Sequence, residues 1–466
     1  MTQVPEDLAV NFFFRQYILL SGHADAPRGH LQFLPSLYTR AGPESPLTAA
    51  TLAVSLAVFG NNSSRPDLIT RSRLKYGQAL KRTREALQDP VVSKNNDTLM
   101  TILMFGLIES VTATPDSLPQ WENHTDAAIL LLKSRGKGVL RDEMCLRMLY
   151  TVQKQMIFHG IHGSRNISEL FHGKESALPS SADLPLPERS SPARRLTDLY
   201  LQIPDLQVLA MQLLQQPRNE SFVNSIKGLI DRALELDAAL ALWPSTLPTT
   251  WKRTRHTRVK PTPGDSDNEI LEEYPKNVDT YTDIWTASVW NSYRVARMFT
   301  LSIIIRVISL SLGGSVLDPD FENKHPEVLL IPAYGQAKER LQEMVDEVCA
   351  SIPYHIGYTT DTKASRELYE SQKFRPSIPD GILGAKALGG TFLISPLVVA
   401  RSAMTTPGDQ RRWIRGRLMA IAQQYRANIA KILAEVNGEG GWPLFQMGTL
   451  KKQAMANQAW TLRKKC

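Results

Sequence analysis

The sequence predicts an all-α protein: a large multi-helix body of packed helical hairpins, in two halves joined by a Pro/Ser-rich connection. Three observations carry that expectation. Apolar residues recur at steps of three and four in segment after segment, the spacing that lines one face of a helix. No run alternates apolar and polar residues as a half-buried strand would, and no fixed-period repeat is present. Prolines and capping side chains open the periodic segments, while glycines and prolines close them.

Taken in order, residues 5–19 are an apolar entry segment whose Phe12 to Phe14 and Tyr17 need a cover. Ser45 to Phe59 reads as a helix with Leu47, Leu52, Leu56 and Phe59 apolar. Pro66 and Asp67 open the next, which keeps Ile69, Tyr76, Leu80, Thr83 and Leu87 on one stripe. Between Arg65 and Arg84 its outer side carries Arg65, Arg71, Arg73, Lys75, Lys81, Arg82 and Arg84 against the single acid Asp67. That charge reads as a solvated face in preference to a nucleic-acid face. Asp97 to Val111 is the most apolar of these early helices, with Asp97 placed to cap it.

The clearest helix is WENHTDAAILLLKSRG, Trp121 to Gly136. Trp121, His124, Ala128, Leu131 and Arg135 share one stripe. Pro119 suits a first turn, and Gly136 suits the left-handed closing position. The stripe reads as core, His124 as a hydrogen-bonded core histidine and Arg135 as a rim charge near the C-terminal end of the helix dipole. Asp142 to His159 follows, with Cys145, Leu149, Val152 and Met156 inward, so Cys145 is a buried small hydrophobe. Between Gly173 and Arg195 the chain turns to Pro, Ser and Leu, and the expected boundary lies there: an N-terminal helical half 1–172, a linker 173–195 and a C-terminal half 196–466.

The second half resumes with Leu196 to Gln216, then Asn219 to Trp243 with Phe222, Ile226, Leu229, Ala233, Leu236 and Leu240 at helical spacing. A basic loop, 251–260, and an acidic stretch to Tyr274 form a long irregular connection. Tyr281 to Leu312 is apolar nearly all round and belongs at the centre. Tyr334 to Ile352 is amphipathic. Gly381 to Met404, interrupted by Gly389, Gly390 and Pro396, is two short helices or a kinked one. Asp409 to Val436 is a long helix with Trp413, Leu418, Ile421, Tyr425, Ile429 and Ile432 inward, and a basic tail, 451–466, ends the chain.

Composition narrows the function. The chain has 466 residues, 42% hydrophobic and 21% charged, which describes a globule with a large core and not a disordered chain. Its three cysteines, Cys145, Cys349 and Cys466, are scattered and odd in number, an argument for a reducing, intracellular compartment. No secretory leader is expected, since FFF lacks the preceding basic region. The apolar runs Met298 to Leu312, broken by Arg306, and Ala387 to Ala400, containing Pro396, are too short for the roughly 20 residues of a membrane span. Of the positive charges behind the net +8, five are Lys252, Arg253, Arg255, Arg258 and Lys260, and five more are Lys451, Lys452, Arg463, Lys464 and Lys465. The basic character therefore belongs to a loop and a tail, and the loop is the candidate nuclear-import signal.

No catalytic constellation assembles. There is no nucleophile elbow, no phosphate-cradling glycine loop before a helix and no zinc helix. Gly438, Gly440 and Gly441 follow a helix and read as a stop. His159, His162 and His172 would need a fourth ligand to hold a metal. No catalytic residue, metal or cofactor is expected.

Five segments carry a resemblance. They are Tyr76, Ala79, Leu80, Leu87, Asp89, Pro90, Asp97 and Leu99; then Trp121, His124, Ala127, Ala128, Leu131, Leu132, Arg135 and Gly136; then Trp290, Asn291, Tyr293 and Arg294; then Gly390, Phe392, Leu393, Pro396, Leu397 and Ala400; and last Trp413, Ile414, Arg417, Leu418 and Ile421. In this order they resemble the regulatory middle region of fungal-specific zinc-binuclear-cluster transcription factors, in the subfamily rich in regulators of secondary-metabolite and catabolic genes. Ala127 stands where that family usually has glycine. The family's DNA-reading module, a run of six cysteines holding two zinc ions, cannot be built from these three cysteines. The resemblance implies a nuclear transcription regulator that is not an enzyme, with other transcription factors or a homodimer partner, a small-molecule effector, no autonomous sequence-specific DNA binding and no membrane contact. The alternative from another class is a helical ligand-binding or scaffold protein without a transcriptional role.

Overall fold

A computed structural model describes residues 5–19, 30–114, 121–136, 142–163, 190–213, 216, 220–257, 275–313, 320–356 and 386–435. The basic tail, His172, most of the proline-rich connection, Arg258, Lys260 and the side chains of Trp121, His159 and His162 lie outside that description. No helix of the described residues is long and apolar enough to cross a membrane.

The N-terminal half is built on one tight hairpin. Helix α3 (Pro46–Ser63) starts at Ser45, whose Oγ accepts from Leu47 N at 3.2 Å, and ends at Ser64 in the left-handed region. It presents Ala49, Ala50, Ala53 and Ala57 to its neighbours, all buried. Helix α4 (Pro66–Ala86) lies against it, and Ser72 Oγ donates to Ala53 O at 2.7 Å across the contact. The inward stripe of α4 differs from the sequence expectation. Leu68, Ser72, Ala79 and Thr83 are buried, whereas Leu80 and Leu87 are 41% and 42% exposed. The alanine face of α3 admits a close neighbour, and α4 turns its small residues into it.

Helices α1 (Pro5–Tyr17), α2 (Leu34–Arg40) and α5 (Asn96–Thr112) pack on that hairpin, and α6 (Trp121–Arg135) and α7 (Glu143–Gly163) pack on α5. Helix α5 begins one residue before Asp97, which caps nothing. Arg135 of α6 ties this end of α5 to α6, donating to Asn95 O at 2.7 Å and Asn96 Oδ1 at 2.8 Å. It stands partly exposed in the last turn of α6, as expected, and bridges to α5 as well. Gly136 closes α6 at φ +53°, as expected.

In the second half, Pro192 opens α8 (Pro192–Tyr200) within the stretch expected as a linker, with Ser191 as its cap. The segment read as one helix from Leu196 is this helix and α9 (Ile203–Leu213). Helix α10 (Glu220–Leu242) buries all six residues expected inward. Trp243, just past its end, donates from Nε1 to Pro192 O at 2.9 Å and so ties it to α8. The central helix α11 (Ile284–Ser311), capped by Asp283 onto Thr286 N, is buried on all sides over most of its length. Short α12 (Phe321–Lys324) leads to α13 (Pro332–His355), which runs along α11.

Helix α14 (Lys386–Ser402) is a single helix with Pro396 inside it. A Cβ at Gly389 would lie 2.2 Å from His355 O, and one at Gly390 would lie 2.4 Å from the Tyr425 ring. These two glycines are what let α14 cross its neighbours so closely. The long helix expected from Asp409 is two, α15 (Gly408–Tyr425) and α16 (Asn428–Glu435), parted at Arg426 with φ +51°. Trp413 is half-buried against the core, and Ile414 takes the inward position. One continuous apolar core spans both halves, with α1 against α14 and α5 against α16.

The fold is all-α, with one departure. Inside the connection read as irregular, β1 (Thr254–Thr257) pairs antiparallel with β2 (Asn277–Thr280), placing Arg255 opposite Asp279.

Candidate functional site

The most concentrated chemistry lies where this hairpin meets the central helix. An arginine in a helix apolar on all sides must find an acid, because an isolated buried charge is costly. Arg294 finds two. Its guanidinium donates to Asp279 Oδ2 at 2.9 Å, to Glu347 Oε2 of α13 at 3.2 Å and to Asn291 Oδ1 at 2.7 Å. From the hairpin side, Arg253 donates to Asp279 Oδ2 at 2.9 Å and Glu347 Oε1 at 2.5 Å. Arg255 holds both Asp279 oxygens, at 2.8 and 3.0 Å. Three guanidiniums thus share two carboxylates, and aromatic faces line them: Arg253 and Arg294 over Trp290, and Arg294 also over Tyr281.

Burial alone would raise the Asp279 carboxyl, but the Arg255 hydrogen bonds and the Arg294 and Arg253 charges hold it below its ordinary value. Glu347 follows the same balance, with Arg294 and Arg253 overcoming its burial. Behind them, Asn291 Nδ2 donates to Ser351 Oγ at 3.0 Å, and His355 sets Nδ1 2.9 Å from Ser351 O. Burial drives His355 down to about 4, so it is neutral near pH 7. Cys349 on the same helix is pushed up to about 12 by burial, which leaves it a thiol and a poor nucleophile.

A second node lies one turn along α11. Arg297 clamps Asp237 of α10 at 2.8 and 3.0 Å, and Arg340 of α13 adds a third bond at 3.1 Å. A third node joins the N-terminal helices. Glu109 of α5 accepts from Tyr76 Oη of α4 at 3.0 Å and lies 2.8 Å from His124 Nε2 of α6. His124 is therefore the hydrogen-bonded histidine that its place in the stripe suggested. Among the described residues, no three His, Cys, Asp or Glu side chains are grouped to hold a metal.

Both acids of the first node are engaged by arginine, so the arrangement offers no free base to move a proton. It works as a clamp, fixing the β1–β2 hairpin and α13 onto α11. Of the five cations of the candidate import signal, Lys252 and Arg255 are exposed and Arg253 is partly buried, and both Arg253 and Arg255 are paired with carboxylates. Arg258 and Lys260 lie outside the described residues. The sequence reading missed Asp279, Glu347, Asp237 and His355. Arg294 and Arg297, two of the three arginines in a helix buried over most of its length, were the signal that partners had to exist.

Comparison with known proteins places these features. Residues 11–189 match the model of the fungal specific transcription factor domain, a span that holds the α3–α4 hairpin and the Tyr76–Glu109–His124 node. The chain is 24% identical over 426 residues to transcription factor dbaG of Emericella nidulans, covering 90% of each chain. No solved structure matches. Residues 11–189 thus match the fungal specific transcription factor domain, and along nearly its whole length the chain is similar to a transcription factor.

Proposed function

We propose that this protein controls a secondary-metabolite or catabolic gene set from the nucleus, acting through contacts of its helical body with other transcription factors or a second copy of itself. In this reading the chain does not read DNA bases by its own residues. The observation that supports it best is the end-to-end kinship with a transcription factor, 90% of each chain, on a body whose strongest polar groups serve as internal clamps. The three cysteines cannot supply the six-cysteine zinc cluster that reads DNA in this family.

Deleting the gene and profiling transcripts tests the proposal. The expected result is altered expression confined to a coherent set of neighbouring or co-regulated genes, restored by the full chain. An unchanged profile under conditions where the protein is made would favour the scaffold or ligand-binding alternative.

A further inference from the structure

The seven cations of the Arg65 to Arg84 stretch fall into two sets. Arg65 pairs with Asp67, Arg71 and Lys75 with Glu6 of α1, and Arg82 with Glu44. Arg73, Lys81 and Arg84 are exposed and pair with no carboxylate among the described residues. Those three lie on the outward face of α4 together with Leu74, 66% exposed, and Leu80, 41% exposed. At about 3.6 residues per turn, Arg73, Gly77, Lys81 and Arg84 form the middle of that face, Leu80 and Leu87 one border and Leu74 the other. A Cβ at Gly77 would meet nothing within 4 Å, so the middle of the face is open. Val91, 73% exposed, extends the apolar border past the helix end.

Every cation of α4 that faces another element has found an acid, and the three that do not are interleaved with large apolar side chains left in water. One kind of partner satisfies both. Carboxylates would pair with the three cations, and apolar side chains would cover Leu74 and Leu80 and lie over the open stretch at Gly77. A phosphate backbone would answer the cations but set the leucines against charge.

We propose that the outward face of α4 docks an acidic amphipathic segment of a partner protein, one that presents large apolar side chains flanked by Asp and Glu. The docking face gives the partner contact of the regulatory reading a place and rests on that reading only for its setting. The binding measurement below can fail while transcript control stands.

The test is a fluorescence anisotropy titration of the full chain at about 150 mM salt. The probe is a labelled peptide of about 18 residues with Leu and Phe at i, i+3, i+4 and i+7 and Asp and Glu elsewhere. A peptide of the same composition in scrambled order and a labelled DNA duplex serve as comparisons. The expected result is micromolar binding of the amphipathic peptide, at least about tenfold tighter than the scrambled one. Arg73→Glu/Lys81→Glu/Arg84→Glu and Leu74→Gln/Leu80→Gln should each weaken it by about tenfold or more while melting like the parent chain, because all five positions are exposed. A peptide with Lys in place of its acids should bind the charge-reversed variant and not the parent. Equal binding of the scrambled peptide, or no binding up to about 100 µM, would overturn the proposal. So would tighter binding of the duplex with no effect of the leucine changes, the mark of a nucleic-acid face.

Discussion

Arg294 and Asp279 bring their charged atoms to 2.9 Å with neither side chain exposed to solvent. One stands on the central helix and the other on β2, so this contact decides whether the β1–β2 pair is part of the body or an appendage. Replacing Asp279 by Ala would leave Arg253, Arg255 and Arg294 with Glu347 alone. Breaking a buried pair in this way typically costs about 3–5 kcal/mol. Chemical denaturation of the variant should show a loss of that order; a loss under about 1 kcal/mol would mean that the hairpin detaches without consequence.

Asp237 offers an independent case, since Arg297 and Arg340 both depend on it and it is 1% exposed. Asp237→Asn keeps the shape and removes the charge. Its unfolding midpoint should fall clearly, while Arg340→Gln, at a position 42% exposed on the rim, should change stability little.

The His355 imidazole makes stability depend on pH in a window of its own. Its folded value of about 4 lies below the ordinary 6.5, so the unfolded chain takes up a proton at higher pH than the folded one. The contribution is fully present above pH 6.5 and is lost as pH falls toward 4, roughly 3 kcal/mol in all. Asp279 and Glu347 have lowered values, so their contributions hold above the ordinary carboxylate range and are lost only at lower pH. Comparing the parent chain with His355→Gln by urea unfolding at several pH values isolates the histidine. The variant should show a flatter profile between pH 6.5 and 4, and parallel profiles would contradict the assignment.

Nuclear import through the basic segment should rest on Lys252, Arg258 and Lys260, since Arg253 and Arg255 are occupied by carboxylates. A fluorescent fusion with those three replaced by Gln should lose nuclear accumulation at unchanged melting temperature. Arg253→Gln/Arg255→Gln should instead lower the melting temperature. Full accumulation of the first variant would remove the segment as an import signal.

Much of the fold was legible in the sequence. Helix α10 shows why: Phe222, Ile226, Leu229, Ala233, Leu236 and Leu240 are all buried, because a regular apolar stripe leaves a helix one way to lie. Helix α4 shows the limit. Its leucines suggested one face, but the buried face is the one that fits an alanine-rich neighbour, a property of α3 that α4 does not record. The hairpin escaped notice because its strands are four residues long, β1 is exposed throughout and the pairing is held by Arg255 and Asp279 instead of an alternating pattern. The break at Arg426 had no glycine to announce it. As for the polar node, Trp290, Asn291, Tyr293 and Arg294 were singled out by resemblance, while their acidic partners lie 15 and 53 residues from Arg294 along the chain, beyond the reach of any local pattern.

In the proposed function the helical body itself regulates transcription without reading DNA bases. Charge alone gives weak, salt-sensitive binding with dissociation constants near 10⁻⁴ to 10⁻⁶ M, so at about 150 mM salt the purified chain should bind target-promoter and unrelated DNA alike and be displaced by competitor. The direct measurement joins that titration to a reporter assay with the full chain fused to an unrelated DNA-binding domain. Reporter output should change when the fusion is tethered and return to baseline when Asp279→Ala releases the hairpin. An inert tethered chain, or a sub-micromolar promoter complex that survives competitor, would contradict it.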